Sequence, residues 1–271
     1  MAEPVLPLSP AARRELARLA WAEAVDSTQD WAMREPLPER GSAVFLADHQ
    51  HAGRGRRGRA WRSPPGATLA LSVLRAFDLP LPALAPLGLA AAVAVAAALR
   101  DAGIAGIGLK WPNDLVVGAA KLGGLLVEVR VATPRPALVL GLGLNRELPP
   151  GFVLDQPCTD LARQGLVIGS QDLARRVLDA LLPALARFEA EGFAPFAAEW
   201  PTFDVLSGQR VRVHGGHGGQ VHAGHGGQVH AGHGGQEGLA LGLAADGGLR
   251  VRHDDGERVH HAGEVSVRVA A

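Results

Sequence analysis

A chain of 271 residues, 47% of them apolar, can bury a full core, and its 27 basic side chains are matched by 27 acidic ones. That balance excludes a general polyanion binder, which carries positive charge over a whole face. The single cysteine, Cys158, excludes an internal disulfide framework and fits a reducing cytoplasm, and the N-terminus has no basic start followed by an apolar run of the kind an export signal needs.

In chain order, Ala11–Trp21 and Thr28–Arg34 read as short helices, the second capped by Asp26 or Ser27. Ser42–Asp48 and Ala67–Arg75 read as strands on either side of a glycine-arginine loop. Leu79–Leu99 is uncharged and long enough to cross a bilayer. Prolines crowd its start, alanine supplies most of the rest, and Arg100-Asp101-Ala102-Gly103 closes it, so it reads as a buried helix rather than a membrane span. Strands are expected at Ile107–Lys110, Leu122–Val131 and Ala137–Leu144, then helices at Ser170–Glu191 and Pro195–Trp200. From Leu206 onward the pattern becomes short alternating strands and glycine turns, with a hairpin at Asp246-Gly247-Gly248. The spacing predicts a larger mixed α/β domain over 1–205 and a small all-β domain over 206–271.

Inside that tail "HGGQVHAG" occurs twice in succession, from His217 and from His225, and begins again at His233. His214, His217, His222, His225, His230 and His233 fall in the insertion, at about 214–236. A metal tract is one reading. The other, adopted here, is a repeat expansion in a surface loop, where added length costs little closure entropy.

The loop itself reads "HQHAGRGRRGRAWRSPPG", with Arg54, Arg56, Arg57, Arg59 and Arg62 among its glycines. Gly53 to Gly58 satisfies G-x-G-x-x-G, but "RAWRSPPG" follows where a dinucleotide site requires a helix, and no Gly-Lys-Ser/Thr closes a P-loop. What remains is a loop whose guanidinium forks suit a phosphate and whose Trp61 suits a flat ring, or else a solvated basic surface loop.

Three later segments favour the first reading. "LKWPNDLVV" places Lys110, Asn113 and Asp114 at a strand end; "AKLGGLLVEV" opens a strand with Lys121 and then Gly123 and Gly124; "LGLGLN" ends a strand at Asn145. Each alone is ordinary turn or bulge chemistry. Together with the loop they make a site for a nucleoside phosphate and a second anion.

In the order "DSTQ", "QHAGRGRRGRAW", "KWPNDL", "KLGGLLVE", "GLGLN" and a β tail, the chain resembles the biotin protein ligases over nearly its whole length. The resemblance implies an α+β fold: a catalytic domain akin to class II aminoacyl-tRNA synthetases, a mixed sheet flanked by helices, followed by an SH3-like β-barrel. About twenty residues precede the core, which leads us to expect no N-terminal DNA-binding domain and no DNA partner. No membrane association is expected, and a homodimer stays open.

The implied reaction joins biotin and ATP, with Mg2+, into biotinyl-5′-AMP. The biotinyl group then passes to a lysine of the biotin carboxyl carrier protein of acetyl-CoA carboxylase. By resemblance Ser27, Thr28, Gln50, Gly53, Arg54, Arg56, Lys121, Gly123 and Gly124 serve biotin. Arg56, Arg59, Trp61, Lys110, Asn113, Lys121 and Asn145 serve ATP. Arg54, Lys121 and Asp114 are the catalytic candidates: Arg54 as lid and counter-charge, Lys121 as electrophilic stabiliser, Asp114 as assistant to the incoming lysine or to metal. Gln29 stands where the family often has asparagine. A lipoate-protein ligase shares the adenylation chemistry, and a nucleic-acid regulator is the non-enzymatic alternative.

Overall fold

The computed structural model describes residues 6–131, 133–152, 154, 156–215, 235–262 and 265–269. The histidine-glycine insertion, with His217, His222, His225, His230 and His233, lies outside the described residues; only its ends, at 214, 215, 235 and 236, fall within them.

Helix α1 (Pro10–Glu15), capped by Ser9 Oγ accepting from Ala12 N at 3.3 Å, gives way at once to strand β1 (Leu16–Val25). The helix expected to run to Trp21 therefore stops at Glu15. Arg, Glu, Leu and Ala in this stretch are all good helix formers, but β1 runs parallel to β2 (Ser42–Gln50) from Leu16 opposite Ser42 to Val25 opposite Gln50, and that pairing overrides local preference. Between them α2 (Thr28–Arg34) is capped by Ser27.

The expected strands, helices and hairpin follow, with one addition. β3 (Thr68–Ala76), α3 (Leu87–Asp101), β4 (Ile107–Lys110), the unexpected β5 (Asp114–Val117), β6 (Ala120–Val131) and β7 (Ala137–Asn145) lead to α4 (Ser170–Glu191) and α5 (Ala194–Glu199). They form a seven-stranded mixed sheet in the order β1-β2-β3-β7-β6-β5-β4, antiparallel except for the first pair.

Alternation along the central strands splits the core into two layers. Val44, Leu46, Leu71 and Val73 face α3 and α4, whereas Ala43, Phe45, Leu74 and Val139 pack with Ala32 of α2 on the opposite face. The span Leu81–Asp101 is long and apolar enough to cross a membrane, yet Leu87, Ala91, Val95 and Leu99 are sealed into this core, as the alanine-rich composition predicts. Arg75, buried in β3, is held by Glu15 and Glu189, each at 2.8 Å. Its carboxylates come from α1 and α4 and join both helices to the sheet.

Strands β8 (Arg210–Gly215), β9 (Gln236–Leu243), β10 (Leu249–His253), β11 (Gly256–His260) and β12 (Val265–Val269) form a second, five-stranded antiparallel sheet in the order β11-β10-β9-β8-β12. β8 and β9, the strands flanking the histidine-glycine insertion, pair directly, Val213 opposite Gln236. The β9–β10 turn seats against the first sheet: Trp111 Nε1 donates to Gly247 O at 3.0 Å, and Val211, Val251 and Val267 join the main core.

Candidate active site

The topology brings the N-terminus of α2, the ends of β2 and β5, and the middle of β3, β6 and β7 around one cavity of about 370 Å3. One end of it is neutral and dense in hydrogen bonds. Thr28 donates from N and Oγ1 to Gln50 Oε1 at 2.8 and 3.1 Å, and Ser72 Oγ lies 2.9 Å from Thr28 Oγ1 and 3.2 Å from Gln29 Oε1. Gln29 Nε2 donates to Glu128 Oε2 at 3.0 Å and to Val139 O at 3.2 Å. A cluster of paired hydroxyls and amides with no charge of its own suits a neutral polar group flanked by apolar surface, here supplied by Leu126.

The glycine-arginine loop forms one wall and has defined structure. Trp61 N donates to Gly53 O at 2.8 Å and Gly55 N to Arg59 O at 2.7 Å, so the loop closes as a narrow hairpin around the turn at Arg56–Gly58. Gly53 permits this closure, because a Cβ there would lie 2.5 Å from Trp61 O. The arginines then go separate ways. Arg54 reaches Asp30 and Glu128, each at 2.6 Å. Burial pulls its pKa down, but the hydrogen bonds and charges of the two carboxylates outweigh this and the net shift is upward. Arg56 donates to Asn113 Oδ1 at 3.1 Å and to Ala262 O, and with burial first and the Arg57 charge second its pKa is lowered. Desolvated and without a carboxylate salt bridge among the described residues, Arg56 is the guanidinium most in need of an anion.

Opposite the loop, Lys121 Nζ lies 2.6 Å from Asp114 Oδ1 and 5.5 Å from the centre of the Trp61 ring. Gly124 makes room for that pair, a Cβ there meeting Lys121 Nζ at 3.3 Å. The Trp61 indole lies against the backbone of β7 at Gly143, and its buried Nε1–H has no acceptor among the described residues. Asn145 Nδ2 donates to Thr159 O at 2.9 Å, and Asn113 Nδ2 to Leu125 O at 3.0 Å.

Of the residues singled out by sequence, Ser27, Thr28, Gln50, Arg54, Arg56, Arg59, Trp61, Asn113, Lys121, Gly124 and Asn145 line the cavity. Asp114 stands behind Lys121, Gly53 supports the loop, and Gly123 packs on Gly143 O rather than on open space. Lys110 pairs with Asp114 across the β4–β5 ladder and does not line the cavity. Sequence reasoning missed Ser72 and Glu128, which look like ordinary strand residues, and Arg268, which reaches the cavity from β12 of the second sheet. Gln29, noted only as a departure, is central to the neutral end. Among the described residues no group of three or more His, Cys, Asp or Glu side chains could hold a metal ion.

The model of the biotin/lipoate A/B protein ligase family matches residues 21–145, the stretch that carries most of this cavity. The biotin–[acetyl-CoA-carboxylase] ligase of Paracoccus denitrificans is 36% identical over 184 residues, covering 65% of this chain and 76% of that protein. The chain belongs to the biotin protein ligase family. Its likeness to the corresponding ligase of Mycobacterium tuberculosis is 38% over 175 residues, and to the bifunctional ligase/repressor BirA of Escherichia coli 33% over 192 residues. It spans 64% and 60% of the length of those two relatives, and the matches cover 63% and 70% of this chain. Among solved structures, the biotin protein ligase from Aquifex aeolicus in complex with biotin and ATP superposes with a TM-score of 0.74. At 24% identity, covering 94% of this chain and all of that one, this likeness establishes the biotin-ligase fold.

Proposed function

We propose that the chain is an ATP-dependent biotin protein ligase that forms biotinyl-5′-AMP and passes the biotinyl group to a lysine of the biotin carboxyl carrier protein of acetyl-CoA carboxylase. The observation that carries this reading is the polarity of this cavity. Its neutral end at Thr28, Gln50 and Ser72 opens onto a cationic end at Lys121, Arg56 and Arg59, with the Trp61 indole between. A neutral ureido ring with an aliphatic tail and a terminal carboxylate has this same order of groups.

In the first step a biotin carboxylate oxygen attacks the α-phosphorus of ATP, a new C(O)–O–P bond forms, and the bond to pyrophosphate breaks. Two anions must approach, so the site needs fixed positive charge where they meet. Lys121 and Arg56 supply it. Trp61, half-buried at the edge of the cavity, offers its ring to the adenine side, while Asn113 and Asn145 hold the strand ends in place. In the second step the neutral amine of the carrier lysine attacks the biotinyl carbonyl, AMP leaves, and the nitrogen gives up a proton, for which Asp114 is the nearest carboxylate to Lys121. ATP would carry magnesium as its counter-ion, and Asp114 together with phosphate oxygens would be the setting to hold it.

The division into a catalytic domain over 1–205 and a small SH3-like barrel over 206–271 belongs to the same proposal, as does a cytoplasmic location, consistent with the lone thiol of Cys158. The reading is tested by incubating the protein with ATP, Mg2+, biotin and a carrier domain and weighing the product. A mass gain of one biotinyl group at one lysine, with none from lipoate, is expected. No gain, or preferential transfer of lipoate, would contradict it.

A further inference from the structure

Arg54 stands apart from the other loop arginines. Its Nη1 meets Asp30 Oδ1 of α2 at 2.6 Å and its Nη2 meets Glu128 Oε1 of β6 at 2.6 Å, so one guanidinium ties the loop to two different walls of the cavity. Its charge is already matched by two carboxylates, which leaves it little to offer an anionic ligand. Glu128 has a second task. Its Oε2 accepts from Gln29 Nε2 at 3.0 Å, and Gln29 Oε1 lies 3.2 Å from Ser72 Oγ on the floor of the neutral end. One carboxylate thus joins the strap over the cavity to the groups beneath it.

We propose that Glu128 is a positioning residue: together with Asp30 it holds Arg54 as a strap across the neutral end of the cavity and so sets how long the bound ligand is retained. Gln29 is almost wholly buried and Gly141 leaves it no slack, since a Cβ on Gly141 would lie 2.5 Å from Gln29 Oε1. The amide therefore fixes Glu128, and Glu128 fixes the strap. Half-exposed ion pairs such as these add little to global stability. Their effect falls instead on the local equilibrium between closed and open loop, which governs escape of a ligand beneath it.

The inference rests on the biotin reading above for the identity of the ligand, and its test keeps the two apart. The dissociation rate of biotin is measured for the parent, Glu128→Gln and Asp30→Asn, alongside tryptic cleavage within Arg54–Arg59 in the ligand-free proteins. Each variant is expected to release biotin roughly tenfold faster and to be cleaved faster, with melting temperature shifted by no more than about 2 °C. In an Arg54→Ala background Glu128→Gln should add nothing further, because its effect acts through that guanidinium. Unchanged biotin release in the variants, or the same acceleration with Arg54 absent, would overturn the proposal. If Glu128→Gln fails to fold, Asp30→Asn on the exposed side of the strap decides. If the parent binds no biotin, the biotin reading fails, and the cleavage rates of the ligand-free proteins alone decide the strap: faster cleavage supports it, equal cleavage overturns it.

Discussion

The indole of Trp61 rests directly on Gly143: a Cβ on that glycine would fall 2.5 Å from Trp61 Cε2 and 2.9 Å from its Nε1. No side-chain atom fits between them, so β7 sets the depth at which the ring sits in the cavity. Gly143→Ala should push the ring toward the space assigned to the adenine and raise the KM for ATP about tenfold or more, with biotin binding much less affected because the neutral end lies along β2, β3 and α2. Separate titrations with biotin and with ATP check this. Equal loss of both affinities would point to collapse of the strand instead.

Gly247 carries an analogous constraint at the joint between the sheets. Its φ of 83° is in the left-handed region, and a Cβ there would come within 2.8 Å of Leu89 and 2.9 Å of Pro86 while its carbonyl holds Trp111 Nε1. Gly247→Ala is expected to cost about 1–3 kcal/mol and to lower the melting temperature by several degrees. Because Arg268 of the same sheet lines the cavity and Ala262, in the turn before β12, accepts from Arg56, ATP binding should weaken as well. Denaturant unfolding and ATP titration of one preparation test both effects.

A buried histidine pair makes stability depend on pH. His253 Nδ1 lies 2.7 Å from Glu237 O, and its Nε2 lies 3.1 Å from Nε2 of His260. With His253 donating to the carbonyl from Nδ1, its Nε2 faces Nε2 of His260 as hydrogen-bond partner. Burial, and secondarily the His253 charge, push the His260 pKa down to about 4. The unfolded ring titrates near 6.5, so between those values the unfolded chain binds the extra proton. Stability is therefore full above about pH 6.5 and falls as the pH drops toward 4, by about 2–3 kcal/mol in all. Urea unfolding at pH 7 and pH 5 should show most of this loss, and His260→Gln should flatten it. An unchanged pH slope in that variant would assign the effect to other groups.

Much of the cavity is visible in the sequence because its residues sit in short motifs whose spacing reflects strand ends: Gly53 to Trp61, Lys110 to Asp114, Lys121 to Gly124, Asn145. What stayed hidden depends on pairings between distant segments. Strand β1 reads as helix from its composition, and only its ladder with β2 makes it a strand. β5 begins at Asp114, a common turn residue that directly follows the Trp111-Pro112-Asn113 turn, so nothing local separates it from that turn, and it is fixed by pairing on both sides with β4 and β6. Nothing local marks Glu128 as the partner of Arg54, 74 residues away, or Ala262 as a partner of Arg56, 206 residues away. A run of arginines shows that charge is concentrated there; which anion each one meets is a property of the fold.

The central claim places Lys121 where a carboxylate and an α-phosphate are joined. Exchange of labelled pyrophosphate into ATP, measured with biotin, with lipoate and with neither, reports that step without any carrier protein. The parent protein should exchange only when biotin is present, and Lys121→Ala should lose at least about a hundredfold of that rate while keeping its melting temperature. Exchange at the parental rate in Lys121→Ala, or a parent protein that does not exchange with biotin, would contradict the account.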